Sequence, residues 1–485
     1  MPHIPKSALA GEVEIGLRLL GRGKVRNQYA LPDGHEDKFL SLTTNRVSAF
    51  DFVLPDKIEY KGPSLSAIHH YWNGFLSPYF KTDNVALGAD VDRYLPAEIR
   101  GRPDIQAVAK VAKDLSGTDT EEIFRFLLLG SGWSDYQRDS GVVCGHKLPD
   151  GLREGDELPI PLYAPSTKEK EGHDKNIHHA LVEKRFPGRS KLVLEIAQVA
   201  RHHAMTKDIL IADGKLEIFG DVLGDEIFTP DSCRFFGAEA YRRARAKGAL
   251  PPSLDKQFVR DWCVSVGITK TLEPTNEEHL AIVASKEMPQ VVRDMTSMLY
   301  RYIVWKQTGM KLERYQRERM WINVADQKPH IEVLLGSSSD SMQAEDAVDS
   351  LTGRATATVS VVSCHRNLEA LIGMKERLLK ADRIIAGAGK LAALAGVVKA
   401  LTCMWGRPDL PVIGVACRGD TRKASEAAML SMEELPETPV ELNPQGEAYF
   451  AEEGFSAACD SAVQDEFMPR TMRDKPPIFD LITIR

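Results

Sequence analysis

The chain has 485 residues, 43% of them hydrophobic and 27% charged, with a formal net charge of −7. That balance is ordinary for a globular protein and argues against a nucleic-acid-binding surface, which needs a basic face. The length predicts roughly two to four domains, each able to bury a core.

No apolar run approaches the ~20 residues that span a bilayer, and the opening Met-Pro-His-Ile-Pro-Lys has no signal-peptide core. The seven cysteines show no Cys-x-x-Cys spacing, so reduced thiols and a cytoplasmic setting are expected. Leu17, Leu19 and Leu20 lead into Arg22-Gly23-Lys24-Val25-Arg26, followed by Tyr29-Ala30-Leu31. This predicts strand, tight turn, strand, with Gly23 letting the backbone approach an anion and Lys24 and Arg26 supplying charge. Neither GxxxxGK[ST] nor GxGxxG occurs here. Strand-like runs follow at residues 39–42, 52–54 and 107–109. A helix is predicted over 190–207, with Leu192, Ile196, Val199 and Ala200 on its apolar period, and helical patterns return over 277–310.

Between these helical stretches lie two acidic clusters, Asp213-Gly214-Lys215-Leu216-Glu217 and Asp225-Glu226-Ile227-Phe228-Thr229-Pro230-Asp231-Ser232-Cys233-Arg234. Strand alternation puts Asp213, Lys215 and Glu217 on one face. Gly220 and Gly224 mark a short turn, so the clusters are expected to face each other across a hairpin. Opposed carboxylates repel unless a cation lies between them, and hard oxygen donors beside a lysine suit Mg²⁺ bridging phosphates. The adjacent histidine pairs 69–70, 178–179 and 202–203 diverge in direction on any regular element and are expected to be structural or surface groups.

Residues 317–330 are polar and end in Pro329-His330, which predicts a linker. A new βα pattern follows, with strands at 331–335, 359–362, 383–386 and 411–415 and helical segments between. That is a parallel, doubly wound sheet, which binds ligands at the carboxyl ends of its strands. Ser337, Ser339, Asp340, Ser363, His365, Arg366 and Gly387 all fall at those ends.

Several motifs occur in series: Gly21-Arg22-Gly23-Lys24-Val25-Arg26; Asn45-Arg46-Val47-Ser48-Ala49-Phe50-Asp51; Lys61-Gly62; Arg125 with Gly130-Ser131-Gly132-Trp133 and Tyr136; Pro165-Ser166-Thr167-Lys168; Gly172-His173-Asp174-Lys175-Asn176-Ile177; the two acidic clusters; and Asp255-Lys256-Gln257-Phe258-Val259-Arg260-Asp261-Trp262. In this order they resemble the SAICAR synthetase family of purine biosynthesis. Asn45, Phe126, Leu127 and Gly214 depart from the family pattern. The resemblance implies an α+β, ATP-binding synthetase fold with ATP-grasp-like subdomains over residues 1–316, using ATP and Mg²⁺. Arg22, Gly23, Lys24 and Arg26 would then meet the ATP phosphates, and Glu217 and Asp225 the metal. Lys215, with Asp213, would serve phosphoryl transfer, and Arg125, Ser131, Asp231 and Arg234 would hold CAIR. His173 and Asp174 would contact the amino-acid substrate. The implied reaction joins L-aspartate to CAIR through an acyl phosphate, because a carboxylate and an amine do not condense in water unaided. A different ATP-dependent kinase or ligase on this scaffold is the competing reading, and Arg125, Ser131 and Arg234, which carry substrate choice, oppose it.

Residues 331–485 resemble the AIR carboxylase/N5-CAIR mutase family through Gly336-Ser337-Ser338-Ser339-Asp340, Ser363-Cys364-His365-Arg366 and Gly387-Ala388-Gly389. This implies an α/β flavodoxin-like domain in which His365 transfers a proton and Ser337, Asp340, Ser363 and Arg366 hold the ribonucleotide. Cys364 stands for Ala, Asn367-Leu368 for Thr-Pro, and Ala393 for a second histidine of the mutase type. Carboxylase, mutase and inactive scaffold for oligomerisation or sensing all remain open. The resemblance also implies a homo-oligomer and small-molecule partners, with no nucleic acid or membrane.

Overall fold

The computed structural model describes residues 3–115, 120–168, 174–325, 328–435 and 440–469. The chain divides into two compact units, residues 1–325 and 326–485.

The first unit opens with β1 (Leu19–Arg22), β2 (Arg26–Ala30), β3 (Lys38–Thr43), β4 (Arg46–Ala49), β5 (Phe52–Lys57), β6 (Asn84–Leu87) and β7 (Ala109–Lys113). Five of them form an antiparallel sheet in the order β1-β2-β3-β7-β6, and β4 and β5 pair as a separate ribbon. In β2, Asn27 and Tyr29 are buried while Arg26 and Gln28 face the other way, the two-residue period of a strand. Leu40, Leu42, Val91, Ile105 and Val111 pack with Tyr29. The strand expected at 107–109 starts two residues later. The Ala107 N–H is held by Pro103 O at 2.9 Å, closing the short helix Pro103–Gln106, and the ladder begins at Ala109. The buried helix Lys61–Leu76 meets helix Gln290–Thr308, where Trp72 Nε1 donates to Gln307 Oε1 at 3.1 Å.

A second sheet contains β8 (Thr120–Leu127), β11 (Glu157–Tyr163), β12 (Ser166–Thr167), β13 (Ile209–Phe219), β14 (Val222–Gly224) and β15 (Cys233–Gly237). The small hairpin of β9 (Val142–Val143) and β10 (His146–Lys147) stands apart from it. β13 pairs with β8 along one edge and with β15, then β14, along the other. Its apolar start is fully buried. From Lys215 onward, buried Leu216 and Ile218 alternate with partly exposed Lys215, Glu217 and Phe219. The helix expected over 190–207 runs Arg189–Met205, with Val193 in the core and Val199 turned outward at 36% exposure.

The second unit is one parallel sheet of β16 (His330–Leu335), β17 (Thr356–Val361), β18 (Arg383–Ala388), β19 (Val412–Ala416) and β20 (Tyr449–Phe450). The spatial order β17-β16-β18-β19-β20 is the flavodoxin-like doubly wound order, with its switch point between β16 and β18. One face packs on Leu371, Leu394, Val398, Ala428 and Met432, and the other on Ala344, Ala347, Phe455, Ala458 and Ala462. The boundary between the two units falls within the segment expected as a linker, 317–330. That segment contains the last turn of helix Leu312–Arg319 and the first residue of β16, and Met320 is buried with its carbonyl accepting from Ala89 N–H at 2.9 Å. All seven cysteines are free. Cys144, Cys233, Cys263, Cys417 and Cys459 are buried, and Cys364 and Cys403 are partly exposed.

His70 Nδ1 lies 2.9 Å from the Tyr315 hydroxyl, and burial pushes its pKa from the usual 6.5 down to about 4. The unfolded chain therefore binds this proton first as pH falls, so stability present above pH 6.5 is lost progressively toward pH 4. His70→Gln is expected to flatten the pH dependence of stability in that window, measured by urea unfolding at half-unit pH steps.

Candidate functional site

Buried Arg46 organises the turn between β1 and β2. Its guanidinium donates to Gly23 O (3.0 Å), Lys24 O (3.2 Å), Arg26 O (3.3 Å) and Asn27 Oδ1 (2.9 Å), and it pairs with Glu12. Thr44 N–H and Oγ1 both donate to Val25 O at 2.9 Å. With the turn's carbonyls occupied, the side chains of Lys24 and Arg26 are left to meet charge outside the turn. Lys24 bonds Asp51 Oδ1 at 2.5 Å. Arg26 reaches from the first sheet to the second, 2.5 Å from Asp225 Oδ1 and 3.3 Å from Glu226 Oε2. Arg22 lies on β1 with its Nε buried and without a hydrogen-bond partner.

Glu217 pairs in register with Gly224, the residue before Asp225. This brings the two expected metal ligands to one end of the hairpin. Asp225 is held in the left-handed region at φ 52° by its own N–H to Asp83 Oδ2 (3.1 Å) and by Lys110 Nζ to its carbonyl (2.9 Å). Burial pushes the Glu217 carboxyl up, and the Asp225 charge adds to this. Burial acts the same way on Asp225, but Arg26, Lys110, Lys168 and Lys215 outweigh it and hold that carboxyl well below the usual range. Among the described residues no group of three His, Cys, Asp or Glu forms a metal cage. Two carboxylates on a hairpin beside lysines fit Mg²⁺ instead, which keeps most of its waters and takes one or two carboxylates plus phosphates.

Lys215 Nζ bonds Glu121 Oε1 at 2.7 Å, and Lys168 Nζ bonds Glu217 Oε1 at 2.6 Å. Asp213 lies between two guanidinium groups, 3.1 Å from Arg125 Nη1 and 3.7 Å from Arg234 Nε. Its carboxylate is thus shared by the two arginines. Arg125 also bonds Ser131 Oγ at 2.8 Å and Leu129 O at 3.3 Å. Two glycines make room for this group. A Cβ at Gly132 would come within 2.9 Å of Arg125 Nε, and one at Gly130, where φ is +57°, within 3.1 Å of Arg234 Nη2. Asp231 is set apart from them in a buried cluster, bonded by Lys61 Nζ (2.6 Å) and the Tyr300 hydroxyl, with Lys256 at 3.9 Å. His173 lies outside the described residues. Asp174 leads to Asn176, whose Nδ2 donates to Asp135 Oδ2 at 2.5 Å.

Arg46, Lys61 and Lys168 stand in the motifs, but nothing in their spacing reveals their partners. Glu121, Asp83 and Lys110 were missed altogether, because their pairings join residues far apart in the chain. Of the histidine pairs, His69 is buried against Asn84 Oδ1 (2.8 Å), His203 stacks on Phe75 at 3.8 Å, and His179 stacks on His146 at 3.8 Å.

In the second unit, Ser337 and Ser339 share a hydrogen bond of 2.7 Å at the start of helix Ser338–Asp349. Arg366 donates to Gly336 O at 3.2 Å, and its N–H donates to Ser363 Oγ at 3.3 Å. These contacts join the carboxyl ends of β16 and β17. Asp340 is buried and hydrogen-bonds the Cys417 thiol, which burial and then Asp340 push up. His365 is exposed in the same loop as Ser363 and Arg366. Lys390 follows β18 in the left-handed region at φ 56°, and Ala393 precedes helix Leu394–Met404.

The family model described as SAICAR synthetase matches residues 19–302. The chain belongs to the SAICAR synthetase family. A second family model, AIR carboxylase, matches residues 330–467. The phosphoribosylaminoimidazole-succinocarboxamide synthase of Maridesulfovibrio salexigens is 36% identical over 291 residues, covering 58% of this chain and 93% of that protein. The enzyme of the same name from Methylococcus capsulatus is 41% identical over 257 residues, covering 51% and 83%. The solved SAICAR synthase of Saccharomyces cerevisiae, complexed with SAICAR, superposes with a TM-score of 0.50 at 29% identity, covering 62% of this chain and 98% of that one. Among the described residues no helix is long and apolar enough to cross a membrane.

Gly130→Ala is expected to displace Arg234 and raise the KM of the anionic substrate about tenfold, with a smaller change for nucleotide. Steady-state kinetics on the folded variant checks it.

Proposed function

We propose that the first unit, up to about residue 316, ligates L-aspartate to CAIR with ATP, giving SAICAR. The observation that carries this reading is the meeting of Arg26, Lys168 and Lys215 with the Glu217–Asp225 carboxylate pair, where the two antiparallel sheets approach. The two sheets are assigned as ATP-grasp-like subdomains. Arg22, Lys24 and Arg26 hold the phosphates across the Gly23 turn, while Arg46 keeps that turn in shape. Glu217 and Asp225 would hold Mg²⁺, which when bound neutralises charge on the phosphates. Lys215 faces the charge that develops as the bond from the γ-phosphorus to the β-bridging oxygen breaks and the CAIR carboxylate oxygen takes the phosphoryl group. The aspartate amine then attacks the acyl carbon, phosphate leaves with the bonding pair, and the amine gives up a proton. Arg125 and Arg234, which flank Asp213, hold the anionic groups of CAIR together with Ser131. His173 and Asp174 are assigned to the amino acid.

The second unit is proposed to make CAIR from AIR or N5-CAIR, with His365 moving the proton and Ser337, Ser363, Asp340 and Arg366 holding the ribonucleotide. A second reading, an inactive module for oligomerisation or sensing, draws on Ala393, which provides no second imidazole at the helix start. The protein is proposed to act as a cytoplasmic homo-oligomer on small molecules.

Full-length protein given AIR, bicarbonate, ATP, Mg²⁺ and aspartate is expected to form SAICAR, as is a parallel mixture starting from CAIR. His365→Asn should lose only the first. If CAIR supports product in the wild type and AIR does not, the carboxylase assignment falls, and a third mixture starting from N5-CAIR decides: product there assigns a mutase, and none assigns the scaffold. Glu217→Ala and Asp225→Ala should each lower Mg-ATP-dependent turnover on the order of 100-fold with the circular dichroism spectrum unchanged. Unchanged turnover removes the residue from the metal site.

A further inference from the structure

We propose that the Lys168 ammonium stands in for the divalent cation at Glu217 and is handed over to the anionic substrate when the metal binds. The backbone around Lys168 is pinned. β12 pairs with β8, Ser166 bridges to Asn176, and Thr167 exchanges hydrogen bonds with Lys175 at 2.9 and 3.0 Å. Beyond that anchor the lysine side chain is 40% exposed and ends 2.6 Å from Glu217 Oε1.

The other cations near the carboxylate pair have partners other than Glu217. Arg26 spans Asp225 and Glu226, Lys110 bonds Asp83, and Lys215 bonds Glu121. Among the described residues Lys168 makes its contact ion pair with Glu217, while its charge also reaches Asp225. A single ion pair reached by solvent contributes little, whereas a divalent ion doubles the charge at the same oxygen. Two cations do not share one carboxylate oxygen at contact distance without strong repulsion, so the monovalent group on the flexible stem gives way. Asp225 offers it no refuge, being bound by Arg26 at 2.5 Å. The charge released is then answered by a phosphate or carboxylate of the bound substrate. Lys168 is thus a positioning residue that makes anion binding follow metal binding. The exchange at Glu217 stands independently of the ligase reading. Only the identity of the recipient anion, CAIR, rests on it.

The test measures Mn²⁺ binding by electron paramagnetic resonance on full-length protein without nucleotide, for wild type, Lys168→Met, Glu217→Gln and the double variant. Lys168→Met is expected to bind Mn²⁺ roughly two- to fivefold more tightly, the worth of a partly exposed ion pair. In the Glu217→Gln background the same substitution should give a clearly smaller gain, since only the reach of the Lys168 charge to Asp225 is left. Unchanged or weaker binding in Lys168→Met, or an equal gain in both backgrounds, overturns the exchange. With saturating Mg-ATP, Lys168→Met should raise the KM for CAIR about tenfold, with partial recovery in Lys168→Arg. An unchanged KM overturns the hand-over. Wild-type protein that shows the Mn²⁺ pattern but forms no SAICAR overturns the ligase reading and leaves the exchange standing.

Discussion

Arg26 is the contact on which the first unit's site depends. It starts on one sheet and ends on Asp225 and Glu226 of the other. A site for a polyanion must hold several cations close together, and in the absence of that ligand their repulsion has to be cancelled within the protein. The fold does this with carboxylates drawn from distant parts of the chain. Asp51 answers Lys24, Asp225 answers Arg26, Glu121 answers Lys215, Glu217 answers Lys168, and Asp213 answers Arg125. The same compensation explains why burial, which disfavours every one of these charges alone, still leaves the Asp225 carboxyl low and raises the Lys215 ammonium once Glu121 outweighs its desolvation.

Much of this arrangement was legible in the sequence where it is local. The alternation of Asp213, Lys215 and Glu217 follows from the two-residue period of a strand, and β13 carries it. The turn between β1 and β2 was marked by a glycine among basic residues. The alternating strands and helices after residue 330 announced a parallel sheet, and the residues singled out at its strand ends do lie there. What could not be read is what the topology brings together. Glu121 and Lys215 meet because β8 and β13 are neighbours, and Asp83 and Lys110 because β6 and β7 are, neither of which a linear pattern states. Arg46 looks like one more polar motif residue until its guanidinium is found among three carbonyls of the turn. In the polar segment 317–330 the sequence does not show that Met320 and Ile322 are buried while Trp321 stays exposed.

The two units use the same physics differently. In the first, paired side-chain charges face one another across antiparallel sheets. In the second, short hydroxyl side chains and main-chain groups cluster at the carboxyl ends of β16 and β17, where a parallel sheet leaves a crevice. Arg366 donates to Gly336 O at that crevice, and Asp340 accepts from the Cys417 thiol. Lys390 departs from this economy of small groups. A lysine in the left-handed region costs roughly 1 kcal/mol that glycine avoids.

The cysteines give the two halves different chemical visibility. Cys144 and Cys263 lie in the first unit with thiols pushed up to about 11 and about 12 by burial, and Cys233 of the same unit is buried as well. The partly exposed thiols, Cys364 and Cys403, both belong to the second unit. A thiol reagent at neutral pH therefore labels one half of the native chain and stays silent on the other until that half opens. Modification of Cys144, Cys233 or Cys263 is a clock for the opening of the ligase half, as that of Cys417 or Cys459 is for the other, with neither substrate nor engineered probe needed.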